Sequence, residues 1–226
     1  RSRPPRCRRA AERSGRVSRP VLRGFLQSSY VITARAVASY KGVEIDFEPI
    51  APGEHRKPEH LAQHPWGKVP VLRHGEVTLY ETPAIAVYLD EAFEGPALQP
   101  ESPLARARMW QWISATACYL YPHAVPSYIL RYAFAGSAGP DRTAIDAALP
   151  ALERDVRVIA ESLGSSTYLV DDTLTLADLF VAPLLMGISQ FPEGRAILEQ
   201  HANLAAVART FGTDERFTRA LPPPPA

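Results

Sequence analysis

The 226-residue sequence predicts an α/β unit over residues 21–93 followed by an all-helical unit over residues 104–220. Three observations predict this order. Short apolar and alternating runs over the first stretch are interleaved with two helical patterns. After residue 103 no strand-like alternation recurs, and apolar residues return at three- and four-residue intervals instead. Between the two lies EGPALQPESP, residues 94–103, which has the composition of a linker.

Val21 to Phe25 reads as a short strand, and Gln27-Ser28-Ser29-Tyr30 as a polar turn. Val31 to Lys41 is helical, stopped by Gly42 in the left-handed position after the last turn. Ile45 and Phe47 alternate with Asp46 and Glu48, the pattern of a half-buried strand, so a parallel crossover is expected. Residues 52–64 form a polar loop with about one turn of helix. Val69 to Leu72 is a strand with Pro70 near its start, His74-Gly75 is a turn, and Val77 to Tyr80 returns. Glu81-Thr82-Pro83 then opens a helix, with Thr82 expected as N-cap and Pro83 at the first helical position. Ile85, Tyr88, Leu89, Ala92 and Phe93 set its inner face.

In the second unit, Leu104 to Tyr121 is a long helix that Pro122 is expected to kink or end, and residues 123–135 form a second, aromatic-rich helix. Ile145, Leu149, Leu152, Val156, Ile159 and Leu163 form one apolar stripe, with a kink or a late start expected at Pro150. Thr175-Leu176-Ala177-Asp178 has the form of a capping box, and Leu176, Leu179, Phe180, Leu184 and Ile188 face inward behind it.

Composition narrows the function classes. With 46% hydrophobic and 22% charged residues the chain is of ordinary globular type, and no apolar run is long enough to span a bilayer, so no membrane partner is expected. The net charge of +1 hides an asymmetry: residues 1–20 hold eight arginines and one glutamate, leaving 17 Lys and Arg against 23 Asp and Glu elsewhere. An acidic body argues against nucleic acid as a partner. The two cysteines, Cys7 and Cys118, form no metal-ligand or disulfide pattern, so no metal and a reducing, cytoplasmic setting are expected. The basic tail 1–20 and the proline-rich end 221–226 are expected to be disordered. The tail is open to three readings: a transit-type leader, an arm for an anionic surface, or a segment translated from upstream or left at an expression boundary. The last is favoured because the chain does not open on Met.

Val69-Pro70, followed at close range by Glu81-Thr82 at a helix start, resembles the pattern of glutathione transferases. The resemblance extends over residues 21–220; it is most specific over 53–93, where the chain looks most like the serine-type, phi-like branch, and TLADLFVAP (175–183) resembles the buried capping-box helix of that family. It implies a thioredoxin-like N-terminal domain, an all-helical C-terminal domain, glutathione as co-substrate, and a homodimer. It also implies a hydrophobic electrophilic small molecule as second substrate, in detoxification chemistry.

On this resemblance Ser28 stands at the catalytic serine position. Cap formation for the helix that begins near Val31 explains Ser28 and Ser29 as well, and Ser29 is the adjacent alternative. Glu81 would take the γ-glutamyl ammonium and Thr82 the α-carboxylate at a helix N-terminus. Val69 would bond the cysteinyl backbone beside a cis Pro70. His55, Arg56 and Lys68 would meet the glycine carboxylate, with Arg56 departing from the lysine usual there. Leu26 and Gln27 would wall the electrophile pocket; Tyr119, Tyr121, Tyr128 and Tyr132 could line it or simply be core. The expected activity is thiolate attack on an electrophile or reduction of a peroxide. A non-catalytic binding or scaffolding protein of the same fold, or a glutathione-dependent isomerase or dehalogenase, are the alternatives.

Overall fold

The computed structural model describes residues 18–223, so most of the basic tail with Cys7, and the last three residues, lie outside the described residues. The first unit runs β1 (Val21–Gly24), α1 (Ser29–Lys41), β2 (Asp46–Pro49), a 3₁₀ turn (Glu54–Arg56), α2 (Pro58–Leu61), β3 (Val71–His74), β4 (Val77–Tyr80) and α3 (Thr82–Ala92). The four strands lie in the order β2-β1-β3-β4, with β1 and β2 parallel and the other two pairings antiparallel. This is the thioredoxin-like arrangement, and an all-helical unit follows it. Leu22, Val31, Val37, Leu72, Ile85 and Leu89 are fully buried between sheet and helices. Gly42 ends α1 at φ 69°, a conformation without steric cost only for glycine.

The linker is held rather than loose. The carboxylate of Asp90 accepts the Leu98 N–H at 2.9 Å, and the Leu98 carbonyl accepts the Leu176 N–H at 3.0 Å. Lys41, on α1, donates to the carbonyls of Gly95 and Pro96 and pairs with Asp90 at 3.2 Å.

The helical unit comprises α4 (Pro103–Ala115), α5 (Tyr121–Ala124), α6 (Leu130–Ala133), α7 (Arg142–Leu163), α8 (Leu176–Ser189), α9 (Pro192–Glu199), α10 (Ala202–Thr213) and α11 (Glu215–Thr218). Pro122 does not end the first rod. The chain stays helical from Pro103 to Ala133 by widening into π turns at Thr116–Leu120 and Val125–Ile129, next to Pro122 and around Pro126. A wider turn accommodates a residue that lacks an N–H and crowds the carbonyl behind it. Pro150 does not delay α7 either: the helix starts at Arg142, capped by the Asp141 carboxylate 3.0 Å from the Ala144 nitrogen. Pro150 faces solvent, so water reaches the carbonyl that its missing N–H leaves without a partner.

The capping box before α8 forms as expected. The Asp178 carboxylate accepts from the Thr175 N–H at 2.8 Å and from the Thr175 hydroxyl at 3.0 Å. From Leu176 to Leu185 every residue of α8 is buried, so this helix is the centre of the molecule rather than a one-faced element. It is tied to α1 by the Thr33 hydroxyl, which donates to the Leu179 carbonyl at 3.0 Å. At the far end, Tyr40 donates to Asp214 at 2.9 Å, and Arg35 reaches the Arg219 and Leu221 carbonyls.

Candidate functional site

Strand register alone gathers the sequence-derived residues at one end of the sheet. Arg23 pairs with Val71, Val71 with Tyr80, and Gly24 with Pro49. The exits of β1, β2 and β4 and the entry to β3 therefore share one edge. Ser28 follows β1, His55 and Arg56 follow β2, Lys68 to Pro70 precede β3, and Glu81 and Thr82 follow β4. Ligands of open α/β sheets bind outside such strand ends. The approach is close: a Cβ built on Gly24 would lie 2.6 Å from Val31 Cγ2 and 3.3 Å from Val69 Cβ, so β1, α1 and the loop before β3 converge on this glycine.

Ser28 is half-buried and is the N-cap of α1 by backbone geometry: its N–H donates to the Phe25 carbonyl at 3.0 Å and its carbonyl accepts from Ile32 at 2.9 Å. Its side chain makes no cap hydrogen bond, so the hydroxyl is not consumed by helix termination. Ser29 lies one step inside the helix, where its carbonyl oxygen is 3.0 Å from the Thr33 hydroxyl oxygen, whose single proton it shares with the Leu179 carbonyl. Tyr30 stacks on Tyr121 with centroids 4.5 Å apart and 14° between planes. Burial, with smaller contributions from Tyr121 and Glu81, pushes its hydroxyl far above the ordinary range, so it remains protonated.

Glu81 is the N-cap of α3, and Thr82 is its first residue, with Pro83 second; the expectation of Thr82 as cap is off by one position. The Glu81 carbonyl accepts the Ile85 N–H at 3.0 Å. Glu81 stands at φ 67° and ψ 116°, a backbone conformation that side chains rarely adopt, with its side chain exposed. Thr82 is buried at the helix start. The Val69–Pro70 bond is cis, as expected.

Opposite them, the His55 ring meets Phe25 edge-on at 5.3 Å, and its buried Nδ1 has no partner among the described residues. Burial first, then the nearby Arg56, His60 and Lys68, hold His55 below the usual imidazole range, which favours the neutral ring. Arg56 and Lys68 are exposed.

Sequence reasoning did not single out His60, buried in α2, and His64, buried in the loop between α2 and β3. His60 Nε2 lies 2.7 Å from the Lys68 carbonyl, and the His64 ring packs on Tyr80 at 4.9 Å. A polar loop carrying three histidines was the available signal, but histidine burial is not legible from spacing. Of the four tyrosines considered for a pocket, Tyr128 and Tyr132 are tied elsewhere. Their hydroxyls donate to Glu193 at 3.2 and 2.6 Å, and the Tyr128 hydroxyl accepts the Gly194 N–H at 2.8 Å. Tyr119 is exposed, which leaves Tyr121, against Tyr30, as the one beside the α1 terminus.

Among the described residues there is no group of three or more His, Cys, Asp or Glu side chains placed to hold a metal, and no helix long and apolar enough to cross a membrane.

Comparison with known proteins gives a consistent result. The family model described as "Glutathione S-transferase, N-terminal domain" matches residues 22–97, and "Glutathione S-transferase, C-terminal domain" matches residues 115–213. Glutathione S-transferase 4 of Zea mays is 34% identical over 161 residues, 69% of this chain and 71% of the relative. Probable elongation factor 1-gamma 2 of Arabidopsis thaliana is 30% identical over 206 residues, 85% of this chain and 48% of that protein. Among solved structures, glutathione S-transferase III in apo form superposes with a TM-score of 0.79 at 27% identity, covering 92% of this chain and 100% of the other. The glutathione transferase F7 of Populus trichocarpa has the same fold, with a TM-score of 0.80 at 24% identity over 89% of this chain and 97% of its own.

Proposed function

The chain belongs to the glutathione S-transferase family, and from that premise we propose that it binds glutathione at the shared strand edge and activates its thiol as the thiolate. The observation that carries this reading is the Ser28 hydroxyl, held at the N-terminus of α1 yet not used to cap it. A free thiol with a pKa of about 8.5 is only about 3% ionised at pH 7. Lowering that pKa by about 2 requires roughly 2.7 kcal/mol of preferential stabilisation of the anion. One hydroxyl donor together with the positive end of a 13-residue helix is of that order.

Glutathione lies with its cysteinyl backbone against Val69 beside Pro70, its γ-glutamyl end at Glu81 and Thr82, and its glycine carboxylate near His55, Arg56 and Lys68. Glu81 offers a carboxylate for an ammonium, and the other end offers two basic side chains for a carboxylate. A neutral His55 donates a hydrogen bond there without being a third charge. The thiolate then attacks an electrophilic carbon and displaces its leaving group, or attacks a peroxide oxygen. In the second case the O–O bond breaks, so that the alcohol leaves and glutathione sulfenic acid forms, which a second glutathione converts to the disulfide with release of water. The electrophile is a hydrophobic small molecule held between the two units, beside Leu26, Gln27 and Tyr121. A homodimer in the cytoplasm, serving detoxification, completes the reading.

A second reading rests on the elongation factor 1-gamma relative, which aligns over 85% of this chain. On that reading the fold is a binding module without thiolate chemistry.

The ultraviolet absorbance of bound glutathione thiolate, followed against pH in the intact protein and in Ser28→Ala, separates the two. A thiol pKa depressed by about 2, and returned toward 8.5 by the substitution, is the expected result. Binding with an ordinary pKa favours the module; no binding removes the site assignment.

A further inference from the structure

His60 is 1% exposed, in the short helix α2 just before the loop that leads into Val69. Its Nε2 lies 2.7 Å from the Lys68 carbonyl oxygen, which can only accept, so Nε2–H is the donor. Its other ring nitrogen, Nδ1, is buried and has no partner among the described residues, so the Lys68 carbonyl is the one polar contact of this ring there.

That carbonyl shares a peptide plane with the Val69 N–H. The Lys68–Val69 bond is trans; the cis bond is the next one along. In a trans peptide the C=O and N–H point in opposite directions. Anchoring the carbonyl on His60 therefore fixes the Val69 N–H to point away from His60.

The anchor is itself rigid. The His60 N–H donates to the Lys57 carbonyl at 3.1 Å, and its carbonyl accepts from His64 at 2.8 Å. Further on, Gly67 stands at φ 58°, where a Cβ would come 2.9 Å from the His55 carbonyl oxygen. The excursion from His60 to Lys68 is thus wedged at Gly67, one residue before Lys68, and closed at its ends by one side-chain hydrogen bond.

We infer that His60 is a positioning residue for glutathione: it orients the Lys68–Val69 peptide so that the Val69 N–H is aimed at the cysteinyl carbonyl before the ligand arrives. This rests on the reading that Val69 binds the cysteinyl backbone. The role separates from thiolate stabilisation, because His60 acts on the peptide that holds the ligand and Ser28 on the sulfur. A histidine that merely filled the core would be replaced by any ring of similar volume. A positioning histidine requires a donor at the Nε2 point.

The test uses the full chain, His60→Phe, which keeps the ring volume without the donor, and His60→Gln, whose amide nitrogen reaches the Nε2 point. Equilibrium binding of glutathione and the pH titration of the bound thiolate are measured on each. His60→Phe is expected to weaken binding about five- to tenfold, the scale of one lost hydrogen bond, with the bound thiol pKa unchanged. His60→Gln is expected to stay within about twofold of the intact protein. Should His60→Phe fail to fold, His60→Asn replaces it, since its shorter amide stops short of the Lys68 carbonyl and must weaken binding where Gln does not. Unchanged affinity in the donor-free variant, or Gln as weak as that variant, overturns the role of His60 alone. No glutathione binding by the intact protein overturns both this role and the site it serves.

Discussion

Gly24 and Val69 approach so closely that a Cβ on the glycine would lie 3.3 Å from the valine Cβ, and at the same time 2.6 Å from Cγ2 of the fully buried Val31. The last residue of β1 is therefore glycine because two neighbouring elements use the space. Gly24→Ala forces Val31 or the Val69 loop to shift, at a cost of about 1–3 kcal/mol. Urea unfolding should report that loss, and glutathione affinity should fall with it, since Val69 is the residue assigned to the cysteinyl backbone and Val31 lies in the first turn of α1 that follows Ser28. Unchanged stability would show that Val31 can rotate aside.

Lys41 and Asp90 form a buried pair 3.2 Å apart, their side chains 3% and 5% exposed. Together they hold the Gly95, Pro96 and Leu98 backbone that joins the two units. Lys41→Met leaves Asp90 buried without its cation and should cost about 3–5 kcal/mol. The double variant Lys41→Met, Asp90→Leu should recover part of that, because an apolar pair removes the uncompensated charge. A double-mutant cycle on chemical unfolding measures the coupling; additive losses would refute the pairing.

The βαβ-ββα order was legible because each strand is bounded by turn residues, and Gly42 and the Thr175–Asp178 box punctuate helices by local chemistry alone. The candidate site was legible for the same reason: its residues flank strand ends, and strand order brings those ends together. What failed depended on packing. Pro122 breaks an isolated helix, but here widened turns at 116–120 and 125–129 keep the rod continuous. His60 carried no periodic signal, since its partner is a backbone carbonyl eight residues on. The cap at α3 moved by one residue because Glu81 takes a positive φ that propensity alone would never assign to glutamate.

Asp178 ties the capping box to Leu169, whose N–H donates to it at 2.8 Å. Burial, the largest influence, raises its carboxyl from 3.8 to about 6 against the hydrogen bonds from Leu169 and Thr175 that favour the anion. The folded state holds this proton more tightly than the unfolded chain does. The stability it contributes is therefore complete below pH 3.8 and lost as pH rises through about 6. Asp178→Asn abolishes the titration. The stability of the intact protein minus that of the variant should fall by on the order of 2–3 kcal/mol between about pH 4 and 7. Urea unfolding of both across that range checks it, and a flat or rising difference would contradict the raised carboxyl.

Glu81 combines a strained backbone, φ 67° and ψ 116°, with the carboxylate assigned to the γ-glutamyl ammonium. Such a conformation costs a side-chain-bearing residue about 1–3 kcal/mol and persists only where something requires the residue. Glu81→Gly removes strain and carboxylate together, whereas Glu81→Gln keeps the strain and removes only the charge. Glycine should raise stability by about 1 kcal/mol, after its greater unfolded-state entropy is subtracted. Glutamine should leave stability within about 0.5 kcal/mol, as expected for an exposed position. Both should weaken glutathione binding by about tenfold or more, the scale of a lost charge-assisted hydrogen bond. Thermal unfolding and calorimetric titration of the two variants separate the contributions. If glycine stabilises the protein and binding is unchanged, the strain serves only to turn the chain into α3, and the ammonium must be held elsewhere.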